Sequence, residues 1–118
     1  MSKTVLVADD SRLMLMALTR VLQDAGFNVI SASNGQQALS ILRQQQVDAV
    51  VLDAVMPELG GLEVCRQIRA DTALAGLPVF ILTGSITEKI DDCGADRVLD
   101  KKPDFTELIG ALKQRLAQ

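Results

Sequence analysis

The sequence predicts a doubly wound α/β fold with a five-stranded parallel sheet, and three observations predict it. Five short runs rich in Val, Ile and Leu recur along the chain, and longer helical patterns separate them. Runs such as Val5-Leu6-Val7-Ala8 and Val50-Val51-Leu52 are continuous rather than alternating, as strands read when both faces are covered. Strict strand–helix alternation puts helices on both sides of a parallel sheet.

The first strand is expected at Thr4–Ala8, followed by a helix over about Ser11–Ala25. Ser11 suits the N-cap, and Gly26 can end the helix in a left-handed conformation. Met14, Leu18, Val21, Leu22 and Ala25 form its apolar stripe at 3.6-residue spacing. The second strand is placed at Asn28–Ala32, and Asn34-Gly35 marks the turn into a helix over Gly35–Gln45. The third strand covers Asp48–Leu52 and ends at Asp53; Pro57, Gly60 and Gly61 then break the chain before a helix over Gly61–Ala70. The fourth and fifth strands fall at Pro78–Leu82 and Arg97–Asp100, and a last helix at Asp104–Ala117. Only Gly84–Gly94 separates these two strands. A parallel crossover needs about 10–12 residues including its helix, so the fourth helix should be shortened or irregular. No repeat, low-complexity segment or linker interrupts the pattern, so residues 1–118 are expected to form one domain.

Composition narrows the function. The 118 residues are 48% hydrophobic and 23% charged, as in a soluble globular domain. Aromatics reach only 3%, with no Trp or Tyr, so the core is aliphatic and base stacking is disfavoured. A net charge of −3 offers no broad basic field to nucleic acid or an anionic membrane. No apolar run approaches the roughly 18 residues of a membrane span, and the N-terminus lacks a signal peptide's layout. A cytoplasmic location is expected, with Cys65 and Cys93 as reduced thiols. There is no histidine, which removes His-based catalysis and His metal ligation.

In open parallel sheets, ligands bind beyond the carboxyl ends of the strands. Asp9 and Asp10 follow the first strand, Asp53 ends the third, Thr83 and Gly84 follow the fourth, and Lys101 follows the fifth. Each has an ordinary reading when taken alone. An acidic pair favours a helix start, Asp53 suits a turn, Thr83 a strand end, and Lys101 a solvated surface. Four strands delivering three carboxylates, a hydroxyl and an ammonium to one edge is harder to explain so. Crowded carboxylates repel unless a cation enters, and a hard ion with oxygen ligands such as Mg²⁺ answers that need. An aspartate beside it can act as a nucleophile and form an acyl phosphate. Positive charge from Mg²⁺ and Lys101 and a hydrogen bond from Thr83 would stabilise the transferring group.

On these residues the sequence resembles the receiver domain of two-component response regulators. The matching features are Val5-Leu6-Val7-Ala8-Asp9-Asp10-Ser11, Asp53-x-x-Met56-Pro57-x-x-x-Gly61, Leu82-Thr83-Gly84, and Gly94-Ala95-Asp96 followed by Lys101. The resemblance implies a flavodoxin-like fold with strand order 2-1-3-4-5. It implies Asp53 as phosphoacceptor, Asp10 and Asp53 as direct Mg²⁺ ligands, Asp9 acting through water, and the Val55 carbonyl completing the set. It implies a non-enzymatic switch that receives its phosphoryl group from a histidine kinase or histidine phosphotransfer protein and acts on a downstream protein target. The alternative is a receiver-like interaction scaffold without phosphate turnover. An FMN binder would need a Ser/Thr/Gly-rich loop where Asp9-Asp10 stand. A dehalogenase-type phosphohydrolase would need an acid where Val55 stands.

Three departures from the family pattern set further expectations. Counting from Gly94 without a gap makes Lys101 the active lysine, followed by Lys102 instead of the usual proline; a one-residue slip would make Lys102-Pro103 the pair. Val98 stands where many receivers carry an aromatic switch residue, and the fourth crossover is short. Phosphorylation is therefore expected to order or reposition Gly84–Cys93, and Val55 and Ser85 are expected to flank the site and tune water access. Leu15 and Met16 lie off the first helix's buried stripe and suggest a docking patch for a phosphodonor helix.

Overall fold

Neighbouring residues on each strand point to opposite sheet faces, and both faces are buried, which explains the unbroken apolar runs. The computed structural model describes residues 2–84, 93–101 and 105–117. In chain order the described elements are β1 (Thr4–Ala8), α1 (Arg12–Asp24), β2 (Asn28–Ala32), α2 (Gly35–Gln44), β3 (Ala49–Asp53), α3 (Gly61–Ala70), β4 (Val79–Thr83), β5 (Arg97–Asp100) and α4 (Thr106–Leu116). All strands run parallel in the order β2-β1-β3-β4-β5. This is the flavodoxin-like doubly wound arrangement that the sequence predicts. The proposed helix of the fourth crossover, the ordering of Gly84–Cys93, Ser85 and the Lys102-Pro103 alternative fall on residues 85–92 and 102–104, outside the described residues.

One core cluster joins Leu6, Val50, Leu52, Val79 and Ile81 to Ala38, Leu42, Val64 and Ile68 of α2 and α3. The other joins Val5, Val7, Val51, Phe80 and Leu82 to Leu18, Leu22, Leu108 and Leu112 of α1 and α4. Burying a Leu contributes roughly 1.5–3 kcal/mol each, so these clusters, with β3 buried at every residue, anchor the sheet.

Local signals set the boundaries. The Ser11 hydroxyl accepts the Met14 amide at 3.2 Å and caps α1. Gly26 ends it at φ +100°, with the Phe27 amide donating to the Leu22 carbonyl at 3.0 Å. Asn34 is more than a turn residue. Its side chain accepts the Gln37 amide at 2.8 Å, and Gln37 Oε1 reaches back to the Ser33 amide at 2.7 Å. Two strands begin one residue later than the hydropathy suggests. Asp48 stays out of β3, its carboxylate accepting the Thr4 amide at 2.7 Å. Pro78, which has no amide to donate, precedes β4. Asp53 and Thr83 thereby become the last residues of their strands.

Candidate active site

Register brings the functional residues together. β3 and β4 pair with Asp53 opposite Leu82, and β4 and β5 pair with Thr83 opposite Asp100. The Ala54 amide donates to the Leu82 carbonyl at 2.9 Å and the Lys101 amide to the Thr83 carbonyl at 3.0 Å, extending the ladder past the strand ends. Beyond β1, the Asp9 amide donates to the Ala32 carbonyl at 3.1 Å. Asp9, Asp53, Thr83 and Lys101 thus take their positions from main-chain hydrogen bonds rather than from mobile loops.

Asp9, Asp10 and Asp53 each place a carboxylate oxygen within 4.8 Å of the others. Asp9 and Asp53 are buried, whereas Asp10 is exposed. Asp9 Oδ1 accepts the Ser11 amide at 2.9 Å, so it also helps start α1. Lys101 Nζ lies 3.0 Å from Asp53 Oδ1 and 3.3 Å from Asp9 Oδ2. The second contact has ion-pair distance without hydrogen-bond alignment, and Asp9 Oδ2 is a buried oxygen with no hydrogen-bond partner. The Val55 amide approaches Asp53 Oδ1 at 3.4 Å, a long contact, and the Val55 side chain is 78% exposed. Thr83 is buried at the adjacent strand end.

Burial pushes the Asp53 carboxyl above its usual range. The Asp9 charge adds to this, against the hydrogen bond and charge of Lys101. Burial alone would lower Lys101, but the Asp53 hydrogen bond and the charges of Asp53 and Asp9 outweigh it and hold the ammonium upward. The two shifts do not mirror each other as a simple ion pair would, because one cation is shared between two carboxylates. Among the described residues the cluster is left short of positive charge. With a buried Asp9 oxygen that has the Lys101 charge near it but no hydrogen-bond partner, and an exposed Asp10 beside it, this donor set suits a hard divalent cation with oxygen ligands.

Gly61 explains part of the motif that follows Asp53. A Cβ there would collide with the Asp53 carbonyl oxygen, and the Gly61 amide donates to the Ala54 carbonyl at 3.1 Å. The loop from Asp53 to α3 closes this tightly only around glycine, while Met56 turns into the core and Glu58 takes φ +68°.

The family model for the response regulator receiver domain matches residues 5–113. The chain belongs to the response regulator receiver domain family. This receiver domain is 40% identical over 116 residues to the response regulator MprA of Mycolicibacterium vanbaalenii, covering 95% of this chain and 49% of that protein. It spans about half the length of the curated relatives it matches. Response regulator TrrA of Thermotoga maritima, solved in complex with Mg²⁺-BeF, superposes with a TM-score of 0.89 at 32% identity over 97% of this chain and 99% of that one. The receiver domain of sensor histidine kinase PA1611 of Pseudomonas aeruginosa, solved with a magnesium ion coordinated in its active-site cleft, gives 0.86 at 25% identity, covering 97% of each chain.

The structure gathers Asp9, Asp10, Asp53, Thr83 and Lys101 at one sheet edge. It corrects the reading of α1. Leu15 is half-buried and packs against the α1–α4 core cluster, because it borders the stripe of Leu18 and Leu22. Leu13, 78% exposed, stands instead with Met16, 64% exposed. The sequence carried that signal, since Leu13 and Met16 are three residues apart and share a helix face.

Proposed function

We propose that this receiver domain is a Mg²⁺-dependent phosphoacceptor switch phosphorylated on Asp53. The observation that carries the reading is the cluster of Asp9, Asp10 and Asp53 within 4.8 Å, with the Lys101 ammonium 3.0 Å from Asp53. An Asp53 carboxylate oxygen would form the new P–O bond while the P–N bond of a donor phosphohistidine breaks and its electron pair stays on the imidazole nitrogen. Lys101 would neutralise a phosphoryl oxygen, and the Thr83 hydroxyl would donate to another. Asp9, Asp10 and Asp53, with the Val55 carbonyl, would hold Mg²⁺, which supplies charge neutralisation on the phosphoryl oxygens when bound. The relatives solved with Mg²⁺-BeF and with magnesium support this assignment.

The donor is a histidine kinase or histidine phosphotransfer protein, which places the domain in the cytoplasm. Leu13 and Met16 are exposed in the first turns of α1, the helix that follows Asp10, and Val55 is exposed two residues after Asp53, so the rim we propose around the acidic cluster is apolar. That rim suits an apolar donor helix carrying the phosphohistidine. The switch covers residues 1–118 and passes its signal to a downstream protein by conformational change.

Incubation with Mg²⁺ and a small acyl phosphate tests the reading. Intact mass should show one added phosphoryl group, labile to hydroxylamine and absent in Asp53→Asn or in chelator. Phosphorylation that survives Asp53→Asn, or none in the wild type, would contradict it.

A further inference from the structure

The two cysteines lie away from the acidic cluster and have no part in the proposed phosphotransfer. Cys65 is sealed within α3, and Cys93 is buried where the chain approaches β5. Both are free, and both belong to the core cluster shared with α2 and α3. The Cys65 thiol donates to the Cys93 carbonyl at 3.2 Å, which sets the two cysteines side by side in that core. One turn along α3, Arg69 Nε donates to the Gly94 carbonyl at 2.8 Å, so the Cys93–Gly94 main chain is held against the helix at two successive points.

We propose that Cys65 and Cys93 form a redox-modification site, an intrachain dithiol that a hydroperoxide converts to a disulfide. The Cys65 sulfur is already fixed 3.2 Å from the Cys93 main chain, so closure draws on side-chain rotation about an existing contact. Cys93, with slight residual exposure, is the first sulfur to react. Burial, and then the neighbouring Cys93 thiol, push the Cys65 thiol up to about 12, so Cys65 carries almost no thiolate and acts second. Cys93 sulfur attacks a peroxide oxygen; the O–O bond breaks, a sulfenic acid forms, and hydroxide leaves with the thiol proton as water. Cys65 sulfur then attacks the Cys93 sulfur; the S–S bond forms, the S–O bond breaks, and hydroxide takes the Cys65 proton as a second water. Two electrons pass from the sulfur pair to one peroxide. The bridge would join α3, which follows the Asp53 loop, to the segment leading into β5, which ends beside Lys101. It rests on the thiol geometry and not on the phosphoacceptor reading.

The reduced full chain is treated with excess hydrogen peroxide, quenched with an alkylating reagent and weighed intact. The expected product is a monomer lacking two hydrogen atoms, unalkylated, and restored by dithiothreitol. Cys65→Ser and Cys65→Ala should leave the Cys93 sulfenic acid without its partner and raise its capture by a 1,3-dione about tenfold over wild type. Two alkylatable thiols after treatment, or oxidation only to disulfide-linked dimers, would overturn the proposal, and the wild-type measurement decides this even if neither variant folds.

Discussion

The Lys101 ammonium rests 3.0 Å from Asp53 Oδ1, directly against the proposed phosphoacceptor. Lys101 therefore occupies the same negative field that a divalent cation would enter. Lys101→Met should tighten Mg²⁺ binding about threefold or more, because a competing positive charge is gone. The same variant should weaken Mg²⁺-dependent beryllofluoride binding by about tenfold or more, because the phosphoryl mimic loses its cation. Calorimetric titration of each ligand reads the two opposite signs.

Asp10 is the exposed member of the three carboxylates. Removing its charge relieves repulsion on Asp9 and Asp53 in the metal-free chain. Asp10→Asn is expected to raise the metal-free Tm by about 2–4 °C. Millimolar Mg²⁺ should raise the wild-type Tm by linkage and leave that of Asp10→Asn unchanged. Scanning calorimetry with and without Mg²⁺ checks both parts.

Gly61→Ala should cost about 2–3 kcal/mol, since its Cβ would meet the Asp53 carbonyl oxygen with no flexible atom to give way. Urea denaturation measures this, and beryllofluoride affinity should fall in the same variant because Asp53 itself must shift.

Asp96 lies at the opposite end of the sheet and predicts an acid-stability step. Its Oδ1 accepts the Val79 amide at 2.9 Å and Arg69 at 3.0 Å, and its Oδ2 accepts Arg115 at 3.0 Å. Burial alone would raise its pKa, but the Val79 hydrogen bond and the two guanidinium groups outweigh it and hold the carboxyl below the usual range. A depressed folded pKa contributes stability that is full above the ordinary value of about 3.9 and is lost as pH falls through the folded value. Asp96→Ala should therefore cost about 2–3 kcal/mol at neutral pH and clearly less near pH ~2.5, measured by urea denaturation at both.

Met16→Glu and Leu13→Glu should slow phosphotransfer from a phosphohistidine donor while leaving Tm and beryllofluoride binding unchanged, because both side chains project into solvent. Leu15→Glu should lower Tm instead, since Leu15 packs on the core. Stopped-flow phosphotransfer and thermal melts separate the two classes.

The architecture was legible because its signals are local. Unbroken runs such as Val50-Val51-Leu52 report burial on both faces, and Ser11 and Gly26 mark the ends of α1 through their own chemistry. The acidic cluster was legible because strand ends share an edge in a parallel sheet, so Asp9, Asp53 and Lys101 meet whatever their separation along the chain. Pairings that depend on long side chains crossing between elements were not legible. Arg69 of α3 donates to the carbonyls of Gly94, Ala75 and Leu77 and to Asp96, partners that no local spacing announces. Leu15 was misplaced because a helix stripe has soft borders, and packing against α4 decides which flanking residue is covered.

Titration of beryllofluoride in millimolar Mg²⁺ tests the central claim most directly, followed by amide chemical shifts of Asp53, Thr83 and Lys101. The account predicts saturable binding at one site that requires Mg²⁺, perturbs all three amides, and vanishes in Asp53→Asn. Binding that is indifferent to Mg²⁺ or retained in Asp53→Asn would contradict it.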